Sequence, residues 1–145
     1  MFHKIKDVTV MPDFILYVQF AEGITKTYDV AKAGRNNQSL KSVKSSPDLF
    51  SYVTIDMGGR QVSWDDGPSL SCDELFDRGK RVDTPFDGLM AFTDATELWG
   101  LNESTLRKAI EYGKLVRGVD ACKFGKQWVI SVEAMEREYG KLVET

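Results

Sequence analysis

The spacing of apolar positions changes period between residues 83 and 92. Before that point it alternates. VTVM (8–11) and FILYVQF (14–20) are β-rich runs parted by the turn dipeptide Pro12-Asp13. ILYVQF, the short Ala21-Glu22-Gly23 and ITKTYDV read as a tight hairpin. A period of two puts Ile24, Lys26 and Tyr28 on one face, Thr25, Thr27 and Asp29 on the other. Tyr52–Ile55 and Arg60–Trp64 predict a second hairpin around Met57-Gly58-Gly59, stopped at Asp66-Gly67-Pro68. In SCDELFDRGK (71–80), Ser71 caps a short helix with acids in its first turn, Leu75-Phe76 as its apolar pair and Gly79 as its C′ residue. The polar stretch 31–51 predicts loop with one or two helical turns, one starting at Ser46 or Pro47 and packing Leu49 and Phe50. The sum is an α+β module, a small antiparallel sheet with short helices to one side.

VDTPFDGLM breaks the alternation, and its Pro85, Gly88 and two aspartates read as a linker at 83–92. From Phe92 the period is helical. Thr93 is the expected cap, with Asp94 beside it, and Ala95, Leu98 and Trp99 share a face. Gly100 sits where a tight helix–helix corner needs a left-handed backbone angle. Leu101 plugs the junction. Asn102 caps the next helix, 103–112, whose buried stripe is Leu106, Ala109 and Ile110. Thr96 stands where the helix crossing favours a smaller residue. After Gly113, ACKFGKQWVIS predicts a hairpin, 121–130, turning at Gly125-Lys126 in type II′ geometry. Ser131 caps a last helix that turns Val132, Met135 and Tyr139 inward. The expected organisation is a small α+β domain (1–82), a linker (83–92) and a winged helix-turn-helix domain (93–145).

Charge changes this picture only locally. The chain of 145 residues carries 19 Lys+Arg against 22 Asp+Glu, so a uniformly basic nucleic-acid binder is excluded. Residues 1–82 balance, with 11 basic and 11 acidic groups. Within 103–128, however, six basic residues face three acidic ones. That excess suits a phosphate-facing surface as well as it suits an ordinary solvated face.

At about 100° per residue, Ser104, Lys108 and Glu111 project from the second helix, flanked by Thr105 and Arg107. The N-terminal part of a recognition helix meets base edges, so Ser104, Thr105 and Arg107 are the base-reading candidates. Lys108, Lys114, Lys123 and Lys126 are the phosphate-binding candidates. The competing reading is a plain helical corner packed on another domain.

Other chemistry is sparse. Trp64, Phe20, Phe50 and Tyr52 read as core aromatics. Asp65 and Asp66, with Asp56, Asp73 and Glu74 nearby, read as turn chemistry and not a metal site. His3 reads as exposed. Cys72 and Cys122 read as unrelated reduced thiols. With no glycine-rich nucleotide loop, no histidine-based triad and no metal cluster, an enzyme is not expected, and no cofactor or metal is implied.

Phe20-x-Glu22-Gly23, then Phe50, then Trp64-x-x-Gly67 and Leu75 resemble the bacterial domain-of-unknown-function family 2442 over about residues 4–80. That resemblance implies a small α+β fold, frequent fusion to DNA-binding domains, antitoxin-like contexts and no known catalytic residue. Ala95, Glu97-Leu98-Trp99-Gly100-Leu101, Ser104-Thr105-Leu106, Ile110, Gly113-Lys114-Leu115, Phe124-Gly125-Lys126-Gln127-Trp128 and Glu133-Ala134 resemble the winged helix-turn-helix of phage excisionases and MerR-type regulators. Residues 116–122 are longer than the usual link to the wing. The resemblance implies sequence-selective binding to double-stranded DNA without chemistry on it.

The expected protein is therefore a DNA-binding regulator: a repressor, an antitoxin-like factor or an excisionase-like accessory factor. Its first domain would supply a homodimer contact or hold a protein partner. The alternative is a protein-interaction module neutralising a partner through 1–82 without sequence-specific DNA binding. The N-terminus has no signal-peptide pattern and no run reaches the roughly 18 apolar residues of a membrane helix, so a cytoplasmic location is expected, with no membrane partner.

Overall fold

A computed structural model describes residues 3–65 and 67–142. The chain divides into two compact units. One takes the described residues up to Thr84 apart from Ala21–Gly23, and the other takes Ala21–Gly23 with the described residues from Pro85 on.

In the first unit, β1 (Ile5–Met11), β2 (Ile15–Phe20) and β3 (Thr25–Asp29) form an antiparallel meander. Alternation does what a period of two requires: Leu16, Val18 and Phe20 of β2 are buried and the residues between them are half-buried. The Pro12-Asp13-Phe14 turn uses positive φ at Asp13 and Phe14. Asp29 ends β3 and caps α1 (Val30–Ala33), accepting from the Lys32 backbone N–H. Two 3-10 turns, Gln38–Lys41 and Val43–Ser45, bring Leu40 and Val43 into the core. Ser46 then caps α2 (Pro47–Ser51), with proline in its first turn where no N–H is needed.

Next come β4 (Thr54–Asp56), β5 (Gln61–Ser63) and β6 (Ser69–Ser71), a second sheet in the order β4-β5-β6. Ser71 caps α3 (Cys72–Arg78) through the Glu74 N–H, and β7 (Lys80–Val82) joins the first sheet beside β3. The two sheets and the helices share one core, built on Leu16, Val18, Phe50, Val62, Trp64 and Leu75. The Trp64 indole N–H donates to the Phe50 carbonyl at 2.9 Å, so the ring is buried without an unsatisfied donor. Asp56 accepts from Ser63 Oγ, Gln61 Nε2 (3.0 Å) and Thr54 Oγ1 (3.3 Å), which braces the β4–β5 hairpin. These bonds, Ser63 first, hold its carboxyl below the usual range. Asp66 lies outside the described residues.

Several expectations are corrected here. Tyr52 is 65% exposed and no core aromatic, and Leu49 turns to solvent as well. Phe50 takes the inward position of a five-residue helix, and residues one or two places along point well away from it. His3 is buried, not exposed: its ring stacks on Phe76, with centroids 3.4 Å apart, and meets Phe20 edge-on. Gly79 ends α3 with an extended backbone and not in the left-handed region (φ −71°, ψ 153°). Its lack of a side chain is still required, since a Cβ there would lie 2.3 Å from the Leu75 carbonyl oxygen. Strands β6 and β7, three residues each, are too short to carry a readable period.

In the second unit the segment expected as a linker, 83–92, contains β8 (Leu89–Ala91) and the first residue of α4 (Phe92–Trp99). The α4 cap is Ala91 and not Thr93, because the chain passes straight from strand into helix. Then follow α5 (Glu103–Glu111), β9 (Ala121–Phe124), β10 (Gln127–Ser131) and α6 (Val132–Tyr139). The sheet order is β8-β10-β9, antiparallel throughout. Phe92, Ala95, Leu106, Ala109, Leu115, Ile130 and Met135 form its core. Among the described residues, no helix is long and apolar enough to cross a membrane.

Candidate nucleic-acid interface

The corner between α4 and α5 is made by backbone geometry. Gly100 adopts φ 66° and ψ 38°, the left-handed region that costs a side-chain-bearing residue steric strain. Its N–H and that of Leu101 both donate to the Thr96 carbonyl, closing the end of α4. Asn102 stands at the cap position of α5 with an extended backbone, yet its side chain makes no capping bond, and Thr105 N–H donates to the Asn102 carbonyl instead. Leu106 and Ala109 bury the inner stripe of α5 as expected, with Ile110 half-buried beside them. Thr96 is accommodated by donating its hydroxyl to the Thr93 carbonyl at 2.9 Å.

The β9–β10 hairpin is aimed by its own alternation. Ala121 pairs with Ile130 and Lys123 with Trp128, so all four share one face. At the base of the hairpin that face is core, with Ala121 and Ile130 buried. At the tip it carries Lys123 and Trp128. Phe92 stacks on Trp128 with ring centroids 5.5 Å apart and planes 16° apart, and the Arg117 guanidinium lies 5.2 Å from the Trp128 centroid. This stack ties the hairpin to the start of α4. Positive φ at Gly125 (61°), with none at Lys126, is the type II′ pattern and leaves the Lys126 side chain exposed at the tip.

The result is a shallow groove of about 230 Å³ lined by Phe92 and Thr93 of α4, Glu103 and Arg107 of α5, and Lys123, Lys126, Gln127 and Trp128 of the hairpin. Of the expected site residues, Arg107, Lys123 and Lys126 meet here. Ser104, Thr105, Lys108 and Lys114 lie outside its lining. Ser104 and Lys108 are exposed on α5, Thr105 is half-buried, and Lys114 sits 5.7 Å from the centroid of the Tyr139 ring. The groove therefore follows the Glu103–Arg107 line, one turn apart on α5, not the Ser104–Lys108–Glu111 line. Glu103, Thr93 and Gln127 are not among the expected base-reading or phosphate-binding residues. Glu103 alone had a readable signal, its i,i+4 spacing to Arg107.

The 116–122 insertion has a structural task. Asp120, buried, accepts from the Val116 N–H at 2.8 Å and binds the Arg137 guanidinium of α6 through both oxygens, at 3.1 and 2.9 Å. The turn it closes places Arg117 over Trp128. The Arg137 bond, and after it the Val116 N–H, hold the Asp120 carboxyl below its ordinary range. A depressed carboxyl contributes stability that is complete above the unfolded value, near 3.9, and is lost as pH falls through the folded one. We expect Asp120→Asn to lower the melting temperature at neutral pH and to flatten the loss of stability below about pH 4. Melting curves from neutral to acid pH check this; parallel acid limbs in the two proteins would assign that stability elsewhere.

Two helices joined at a left-handed glycine corner, with a packed hairpin and a closing helix, define a helix-turn-helix arrangement. Residues 82–144 match the model of a helix-turn-helix domain family, in agreement with this arrangement. No curated protein and no solved structure matches the chain.

Proposed function

We propose that the protein is a DNA-binding regulator that enters the major groove with α5 and lays the β9–β10 hairpin as a wing on the flanking phosphates. One observation carries this reading: Arg107 from the helix and Lys123 and Lys126 from the hairpin line a single exposed groove. Three cations from two elements at one surface suit a backbone that presents regularly spaced negative charge. Arg107 reads base edges with Ser104 and Thr105, while Lys123 and Lys126 hold phosphates and Lys108 and Lys114 extend the contact. Glu103 in the same groove accepts from a cytosine amine and repels misplaced phosphate, which favours selectivity over bulk affinity. The site belongs to a repressor, an antitoxin-like autorepressor or a recombination accessory factor, acting on cytoplasmic DNA. One helix and one wing make a small footprint, so useful affinity calls for a homodimer or a protein partner held through residues 1–82. The resemblance of that region to domains often fused to DNA binders supports this division of labour.

Fluorescence anisotropy with labelled duplex DNA over a salt series tests the proposal. Binding should weaken steeply with salt. Lys126→Glu should reduce affinity for every duplex sequence alike and lower the salt slope by about one or two phosphates. No duplex binding even at low salt, together with a partner protein bound through the first unit, would replace this reading with a protein-interaction module.

A further inference from the structure

The first unit holds a cavity of about 740 Å³, within the roughly 300–1,000 Å³ range of small-molecule sites. It lies between the end of β3, α1 and one side of α3. Tyr28, Ile15 and Ala33 give it apolar surface, and Lys32, Arg78 and Lys80 bring three cations to its lining. Two carboxylates are present, and both are engaged by uncharged partners. Asp29 accepts from the Lys32 backbone N–H at 3.0 Å, and Glu74 accepts from the Tyr28 hydroxyl at 2.8 Å. Among the described residues, the side chains of Lys32, Arg78 and Lys80 form no ion pair or hydrogen bond. Three cations thus line the cavity against two carboxylates, which leaves its lining with a net charge of +1. All three are exposed, where a plain solvated surface would not need to gather them around one cavity. The placement instead matches a ligand with a flat or apolar body and one anionic group, which Arg78 can bind in bidentate fashion.

We propose that this cavity binds a small organic anion, an aromatic or aliphatic body bearing a phosphate or carboxylate. It is independent of the DNA-binding reading, since every group named lies in the first unit. Such a ligand would lie with its body against Tyr28 and Ala33 and its anionic group toward Arg78 and Lys80.

The test is amide NMR on the full chain at constant ionic strength, titrated separately with phenyl phosphate, benzoate and inorganic phosphate. Phenyl phosphate or benzoate should shift amides of Thr27–Ala33 and Glu74–Lys80 saturably, with a dissociation constant of about 1 mM or tighter. Inorganic phosphate should bind more weakly. The R78Q/K80Q pair should weaken binding about tenfold while amide dispersion elsewhere is kept. Contacts between the probe ring and the Ala33 methyl in the unaltered chain give the same answer without a variant. Absence of saturation with both organic probes overturns the proposal. So does binding unaffected by R78Q/K80Q, inorganic phosphate binding as tightly as phenyl phosphate, or shifts confined to α5 and the hairpin.

Discussion

Replacing Arg107 with alanine is expected to lower affinity for a selected duplex by about 10- to 150-fold and to relax base choice at one position. Arg107 is exposed on α5 and lines the groove that also receives the hairpin lysines. Its guanidinium has no ion pair among the described residues, so its donors are available to a base edge. A bidentate bond to guanine discriminates between base pairs, which a phosphate contact does not. The measurement is selection of bound oligonucleotides from a random pool, followed by affinities on the winning site and its single-base variants. Uniform weakening across all sequences, with the salt slope reduced by about one, would make Arg107 a phosphate contact and move base reading to Ser104 and Thr105. Unchanged affinity would remove α5 from the interface.

Leu106→Ala should be the most damaging single change to the second unit, costing about 2–5 kcal/mol. Leu106 is fully buried on the inner stripe of α5 among Ala95, Leu98, Ile130 and Met135 of the same core cluster. The core of this unit is small and its elements are short, so little can collapse into the space left behind. Native-state hydrogen exchange of the α5 and β10 amides reports the loss directly. A change under about 1 kcal/mol would mean that the corner repacks around the cavity. Arg107→Ala, on the exposed flank of the same helix, should leave this protection almost unchanged, which separates a binding defect from a folding one.

Much of the fold follows from local rules and was readable for that reason. Ser46, Ser71 and Ser131 each accept a hydrogen bond from a backbone N–H in the helix they start. Such caps need only the cap residue and the next turn of chain. Gly100 and Gly125 occupy positive φ where a corner and a hairpin turn demand it. The alternation of β2 and the stripe of α5 likewise state which side faces inward, though not what it meets.

Tertiary partners decided the rest. His3 is buried because Phe76, far along the chain, supplies a face for it to stack on. Tyr52 is exposed because Phe50 already fills the pocket beneath Trp64. The groove follows Glu103 and Arg107 instead of the outermost line of α5 because Phe92 stacks on Trp128 and draws the hairpin to that side. Asp120 finds its purpose only when α6 brings Arg137 within reach. The sequence by itself determined the helix starts, the turns, the inward faces and the local excess of positive charge in residues 103–128, because each depends on neighbours within one turn or one pleat. Which exposed side chains meet at one surface was decided by packing between elements distant in the chain, where the free energy of burial outweighs local preference and leaves no mark on spacing.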